Sequence, residues 1–419
     1  MLELMELMFS KGGDSMVREL YQTSIRETAL NITMSKIDSV RIKNITKSGC
    51  RLYDNGFIGI AGVLGEPTDD TWKLAEKNLM RHIPYEHEPS SNKELVKDLR
   101  KQDISADEFI LRAEELMEQL REEFPDFIFS NKIRLTEVEE TLKNDIGLNL
   151  KNIDSSVNFE LLVKHVDSIN IVDTAVVYNE RILDRNKILE EARMQLNVFN
   201  IEVNLPKGEK LPIILSPFDV GGKLVESLNG ERLGRGNSIF KDKIGTKVFH
   251  KEFSLYAYRG EEALLGTFFD NEGSTLENEQ IALIEDGVIL RGYTDKKTAK
   301  EFGMPNTASA GGDYDEVPGL SGISLSIKPS DKSLEQLLQG KSAIYVVMMG
   351  GGDCTNEGDF ASPVQMSYLM KDGKLLGKLP EFSISGNIYD IFGNDYIGYS
   401  SDKSYFGEHA LVTEMKVTY

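Results

Sequence analysis

Two cysteines in 419 residues, Cys50 and Cys354, leave this chain without a disulfide framework. They are far apart and lack metal-type spacing, so a reducing compartment, the cytoplasm, is the expectation. Positive charge is in deficit as well. Sixty-eight acids against 48 Lys and Arg give a net charge of −20, which repels phosphate and argues against direct nucleic-acid binding. No apolar run reaches the roughly 18 residues that a membrane span needs. The opening MLELMELMF carries acids where a signal peptide has Lys or Arg, so it reads as a starting helix through Leu2, Met5, Leu7 and Met8. Histidine is scarce, with five in all. His82 and His87 share a charged loop, Arg81–Gln102, with Glu86 and Glu88, where surface residues and metal ligands both remain open readings.

What is present divides in two. A chain of this length exceeds what one core organises, and the boundary is expected near Asn200, giving domains 1–200 and 201–419. In the first, Val17–Thr33 and Ser39–Ile45 are rich in β-formers, with Val40, Ile42 and Asn44 on one face. Asn55-Gly56 between two strand-like runs marks a hairpin. Helices are expected at Asp69–Met80, at Ser105–Phe124 behind a Ser105/Glu108 capping box, and at Arg185–Phe199. Strands are expected around Ile133–Leu135, Val157–Val163 and Ala175–Tyr178. The fold class is therefore α+β, with N-terminal helices packed on an antiparallel sheet.

In the second domain, Pro217 after Ser216 suits the first turn of a helix running to about Leu228, with Asp219 and Lys223 as a four-apart pair. Asn229–Ser238 reads as a flexible turn; no Gly-Lys-Ser/Thr follows its glycines, so it is not a P-loop. Phe253–Tyr258, Gln280–Ile289 and Gly319–Leu325 are strand-like, with Ile281, Leu283 and Val288 on one wall, and short helices are expected at Lys296–Phe302 and Ser333–Leu338. Asp286-Gly287 and Asp372-Gly373 close hairpins, so this half is expected to be largely antiparallel β, barrel-like, with a few helices. Ala343–Val347 reads as a buried strand ending in Gly350, Gly351 and Gly352, followed by Asp353, Cys354, Thr355, Asn356 and then Gly358-Asp359-Phe360. By itself this stretch reads as a glycine-rich hairpin connection.

Gly350-Gly351-Gly352, Thr355-Asn356 and Gly358-Asp359-Phe360-Ala361-Ser362 resemble the C-terminal signature of the TldD/PmbA family, also labelled modulators of DNA gyrase. Ser385-Gly386-Asn387 with Ile388–Phe392, the run Leu211–Pro217 and the segment Ser39–Ala61 resemble further family elements. TldD-type members carry His-Glu-x-x-x-His on the helix that corresponds to Pro217–Asn229, and a later cysteine completes their zinc shell. Here that helix has no histidine, and Gly398-Tyr399-Ser400-Ser401-Asp402 has serines where the cysteine is expected, so the chain resembles the TldE/PmbA branch.

The resemblance implies a subunit of a TldD/TldE-type metallopeptidase assembly that helps bind and process unfolded peptides. Zinc is expected only in a TldD-type partner and not in this chain; the partner is that subunit or a second copy. It also implies an extended peptide, added as a strand, at Gly350, Gly351, Gly352, Thr355, Asn356, Gly358, Asp359 and Phe360. Thr355, Asn356 and Asp359 are equally readable as turn-stabilising side chains. Two other readings stand beside this one. One is a self-sufficient hydrolase using His250, His409, Glu408 or Cys354; the other is a non-catalytic homodimeric peptide-binding protein.

Overall fold

The structure, a computed structural model, describes residues 16–418, so the expected opening helix lies outside the described residues. Alternating β-branched and polar residues build an eight-stranded N-terminal sheet from β1 (Val17–Thr33), β2 (Lys36–Asp54), β3 (Phe57–Leu64), β4 (Ile83–Pro84), β5 (Lys93–Asp98), β6 (Phe127–Asn144), β7 (Leu148–His165) and β8 (Thr174–Glu180). The order is β4-β3-β2-β1-β6-β7, and β5 and β8 share the far edge of β7. All pairings are antiparallel except that of β5 with Leu148–Ile153. Asn55 and Gly56 take φ of +50° and +79° in the expected hairpin. The charged segment Arg81–Gln102 is not simply a loop, since it supplies β4 and β5. Five of the six β5 side chains are exposed, which leaves no alternation to read; the backbone of β7 decides that strand.

Three helices serve the N-terminal half: α1 (Asp69–Leu79), α2 (Ala106–Glu123) and α3 (Arg185–Leu196). Ser105 caps α2, its hydroxyl accepting from Glu108 N at 3.2 Å, whereas the Glu108 carboxylate pairs with Arg112 rather than reaching back. Half of the expected capping box therefore forms. Phe109, Ala113, Met117 and Leu120 of α2 meet Leu30, Phe129 and Phe159 of the sheet, with Ile188 and Ala192 of α3 in the same core. Glu114, Glu115, Glu118, Glu122 and Glu123 face solvent. That core continues into the second half through Ile214, Leu334, Tyr345 and Tyr368.

The second half contains β9 (Lys210–Leu215), β10 (Leu255–Tyr258), β11 (Gln280–Glu285), β12 (Val288–Ile289), β13 (Ala310–Gly311), β14 (Gly319–Leu320) and β15 (Leu325–Ile327). It ends with β16 (Ala343–Met349), β17 (Asp353–Cys354), β18 (Asp359–Lys371), β19 (Lys374–Lys378), β20 (Phe382–Asn387), β21 (Tyr396–Tyr399) and β22 (Leu411–Thr418). Strands β16-β9-β22-β20-β18 close into a five-stranded barrel because β18 pairs again with β16. The pairing of β9 with β16 is parallel, and the other barrel pairs are antiparallel. Strands β12-β11-β10-β15 form a smaller sheet. Its hairpin turns at Asp286-Gly287 as expected, but the buried wall is Leu283, Ile284 and Ile289, with Ile281 and Val288 only half-buried. The run Gly319–Leu325 is divided between β14 and β15.

The helix expected over Pro217–Leu228 is broken into α4 (Pro217–Val220) and α5 (Gly222–Ser227). Gly221, at φ −87° and ψ −1°, ends α4 and begins α5, and a Cβ there would lie 2.6 Å from the Pro217 carbonyl oxygen. The break cancels the Asp219–Lys223 register: Lys223 bonds Glu226 at 3.1 Å instead. Asn229–Ser238 is not a plain turn, because Asn229 caps a helical turn, α6 (Gly230–Gly234), by accepting from Arg232 N at 3.0 Å. Two further short helices, α7 (Lys296–Phe302) and α8 (Leu334–Leu338), fall where periodicity places them, α8 behind a Ser333/Gln336 capping box. No described helix is long and apolar enough to cross a membrane.

Candidate functional site

The glycine-rich element leaves the barrel where β16 ends. Ala343 to Val346 are buried, whereas Gly350 to Glu357 are all exposed. Gly351 takes φ +70°, and its carbonyl accepts from Ser362 Oγ at 2.5 Å. A Cβ on Gly352 would lie 2.3 Å from the Phe360 ring, so the absence of a side chain lets the backbone cross that buried aromatic. Gly358, at φ +93°, likewise faces Ile388, which a Cβ would approach to 2.8 Å. β17 pairs with β18 through Asp353 and Cys354 and ends the sheet order, which leaves a short edge beside the glycines.

The polar side chains of the element act on the element itself. Thr355 Oγ1 accepts from Glu357 N at 3.3 Å and from Asp359 N at 3.2 Å, and Thr355 N donates to Asp359 O at 2.8 Å. Asn387 Nδ2 then donates to Asp359 Oδ1 at 2.8 Å, tying the turn to β20. Asn387 Oδ1 accepts from Tyr389 N at 3.0 Å, the capping role its position suggests. Thr355 and Asp359 are thus committed to the turn, while Asn356 is exposed. The thiol of Cys354, though exposed, is held above its ordinary pKa by partial burial, with Lys223 of α5 pulling the other way. That influence sets the glycine-rich element near α5, a juxtaposition of residues more than a hundred positions apart.

A second feature has no counterpart in the sequence reading. A cleft of about 590 Å³ lies between the outer face of β6, β7 and β8 and the segment Tyr405–Glu408. Arg134, Asn158 and Asn179 form its polar floor, and Val347, Tyr405 and Phe406 form its apolar wall. Arg134 Nη1 donates to Asn158 Oδ1 at 3.0 Å and pairs with Glu160 at 3.3 Å. Tyr405 OH donates to Val346 O at 2.8 Å, so the wall is anchored to the strand that feeds the glycines. Only the alternation of Arg134, Thr136, Asn158 and Glu160 on outward positions could have signalled it.

The remaining candidates are dispersed. His250 packs on Tyr396 with ring centroids 5.4 Å apart, and its Nδ1 accepts from Glu252 N at 3.2 Å. His409 lies 5.5 Å from the Tyr399 ring, with Nδ1 at 2.8 Å from Ser400 O. His82 and His87 pack on Phe57 and Tyr85 respectively, as surface-type ring contacts. On and beside α5, Lys223 and Arg232 both pair with Glu226, while Ser400 Oγ donates to Asp402 O in its own turn at 2.7 Å. Among the described residues no three His, Cys, Asp or Glu side chains are grouped to hold a metal ion.

A five-stranded barrel with an appended antiparallel β-sheet is the class this architecture defines. Residues 208–418, half of the chain, match the family model of the PmbA/TldA metallopeptidase C-terminal domain, and the chain belongs to that family. It is 27% identical over 231 residues to the zinc metalloprotease TldD homolog of Saccharolobus solfataricus, covering 53% of this chain and 51% of that one. Over 402 residues it is 24% identical to a metalloprotease of Archaeoglobus fulgidus, covering 89% of this chain and 90% of the relative. For the first of these the match spans about half the relative's length. The fold is that of TldE from Thermococcus kodakarensis, with a TM-score of 0.80 at 20% identity and full coverage of both chains.

Proposed function

We propose that this chain is a TldE/PmbA-like subunit of a TldD/TldE-type metallopeptidase assembly, cytoplasmic and without a zinc site of its own. What carries the reading is the chemistry of α4 and α5, the position at which TldD-type relatives are expected to hold His-Glu-x-x-x-His. It presents Phe218, Asp219, Lys223 and Glu226, and the last two are bonded to each other. Neutral imidazole and thiolate are the ligands such a zinc site uses, and neither residue type is on these two helices. Hydrolysis would then be done by a TldD-type subunit, with this chain holding substrate.

The same reading assigns the exposed edge at Gly350, Gly351 and Gly352, with Thr355, Asn356, Gly358, Asp359 and Phe360, to an extended peptide. Main-chain bonds supply affinity in such a mode, and bare glycines allow the close approach it needs. Phe360 and Gly358 would act from beneath, shaping the edge, since both are buried. The boundary near residue 200 belongs to this proposal too; it falls between α3 and β9.

The test is peptide cleavage and bound-metal analysis of the chain alone and of the chain mixed with a TldD-type subunit from the same organism. Cleavage and stoichiometric zinc only in the mixture support the reading. Chelator-resistant cleavage by the isolated chain would overturn it in favour of a self-sufficient hydrolase. A stable homodimer that retains peptide without cleaving it would favour the binding-protein alternative.

A further inference from the structure

The loop between β7 and β8 holds two isoleucines in solvent, Ile169 at 98% exposure and Ile171 at 91%. It is nevertheless a built loop. Asp173, buried at its base, accepts from His165 N at 2.9 Å, Ser168 Oγ at 2.7 Å and Asn170 Nδ2 at 3.0 Å. Ser168 Oγ in turn accepts from Asn170 N at 3.1 Å. The His165 ring stacks on Phe199 at 5.9 Å, and Lys378 sits 4.7 Å over that same ring, so the loop rests on the end of α3 and on β19. Val166 and Ile201, each 48% exposed, extend the apolar surface. The side chains are therefore displayed from a hydrogen-bonded frame, which lowers the ordering cost of binding.

The fully exposed charges beside these isoleucines are acidic, whereas the lysines of this region, Lys164 at the end of β7 and Lys378, are half-buried. Asp126, Asp167 and Glu202 are exposed at the rim, and none of them forms an ion pair with a described residue. Lys378 is taken up by the Phe199 ring and by the field of Asp173.

We propose that this loop is a docking surface for a different protein subunit, one that offers an apolar socket rimmed by Lys or Arg, with Ile169 and Ile171 as the anchors. The proposal rests on the reading of the chain as one subunit of an assembly. A second copy fits less well, because a two-fold contact would set Asp126, Asp167 and Glu202 against their own kind on chains that each carry −20. An anionic bilayer meets the same repulsion.

The test uses the whole chain, its Ile169→Ser/Ile171→Ser double variant and Asp167→Lys, each titrated with a TldD-type subunit from the same organism. The double variant is expected to bind at least 100-fold more weakly with an unchanged unfolding midpoint, since both side chains are already in water. Asp167→Lys is expected to weaken binding about 5-fold at low salt and to flatten its salt dependence. If the wild type binds and the double variant binds within 3-fold of it, the surface is wrong while the subunit reading stands. If the wild type does not bind, the subunit reading falls and this surface with it. Self-association, or sedimentation with phosphatidylglycerol vesicles, that the double variant abolishes would instead assign the isoleucines to a second copy or a membrane, and either result overturns the proposal.

Discussion

Arg51→Met should destabilise the protein severely, and Glu19→Gln/Arg51→Met should restore most of what is lost. Arg51 and Glu19 form an ion pair at 3.3 Å with side-chain exposures of 0% and 1%. Glu19 also accepts from Tyr53 OH at 2.8 Å and from Asn144 Nδ2 at 3.2 Å. Arg51 reaches across to the second half of the chain, donating to Asn271 O at 2.5 Å, with the Tyr21 ring 5.0 Å away. Removing one partner of a buried pair costs about 3–5 kcal/mol, because the other charge stays behind unpaired. The neutral donors left on Glu19 put the expected cost of Arg51→Met toward the lower end, about 3 kcal/mol.

Two Arg51 nitrogens, Nε and Nη2, have no partner, so burying this guanidinium is itself expensive. Losing both charges together should therefore leave a net cost of only about 1 kcal/mol. Urea unfolding followed through Trp72, the one tryptophan, is the assay. A single variant within about 1 kcal/mol of wild type, or a double variant no better than the single, would refute the assignment of this pair as a buried, mutually dependent charge couple.

Gly352→Val should cost about 1–3 kcal/mol, as an added side chain collides with Phe360 2.3 Å from its Cβ, and calorimetry of the variant measures it. Asn387→Ala removes the 2.8 Å bond to Asp359, so limited proteolysis should nick Thr355–Asp359 faster, at a stability cost of about 1 kcal/mol. Tyr405→Phe loses the bond to Val346 O, also about 1 kcal/mol, and should loosen the cleft wall without changing far-UV circular dichroism. Burial first, and then the charge of Asp270, pushes the Glu272 carboxyl up to about 7. Its unfolded counterpart ionises near pH 4.3, so the folded state holds the extra proton in between. Stability from this group is full below about pH 4 and is lost as the pH rises toward 7, at up to about 1.4 kcal/mol per pH unit. Glu272→Gln should flatten that slope in unfolding experiments run from pH 4.5 to 7.

Short-range chemistry was legible residue by residue. Asn55-Gly56, Asp286-Gly287 and Asp372-Gly373 all turn with positive φ, and Ser105 caps its helix, because these features depend on neighbours within a few positions. The glycines of the Gly350–Gly358 element were visible as glycines, but the reasons for two of them, the Phe360 ring and Ile388, were not. The break at Gly221 was missed because a glycine inside an apolar period reads as tolerated. Neither did β5 show itself, since its charged side chains face water on both sides and only the β7 backbone calls it into the sheet.

The sequence by itself determined the α+β class, the turn positions, the family and the lack of histidine at α4 and α5, all of which are written in residue identity and local spacing. Tertiary structure alone decided the barrel closure between β16 and β18, the cleft between Asn158 and Tyr405, the approach of Lys223 to Cys354, and the exposure of Ile169 and Ile171. Those depend on which distant surfaces come within a few ångströms of one another. Hydrophobic burial drives such meetings without a directional code, so no single stretch of chain records them.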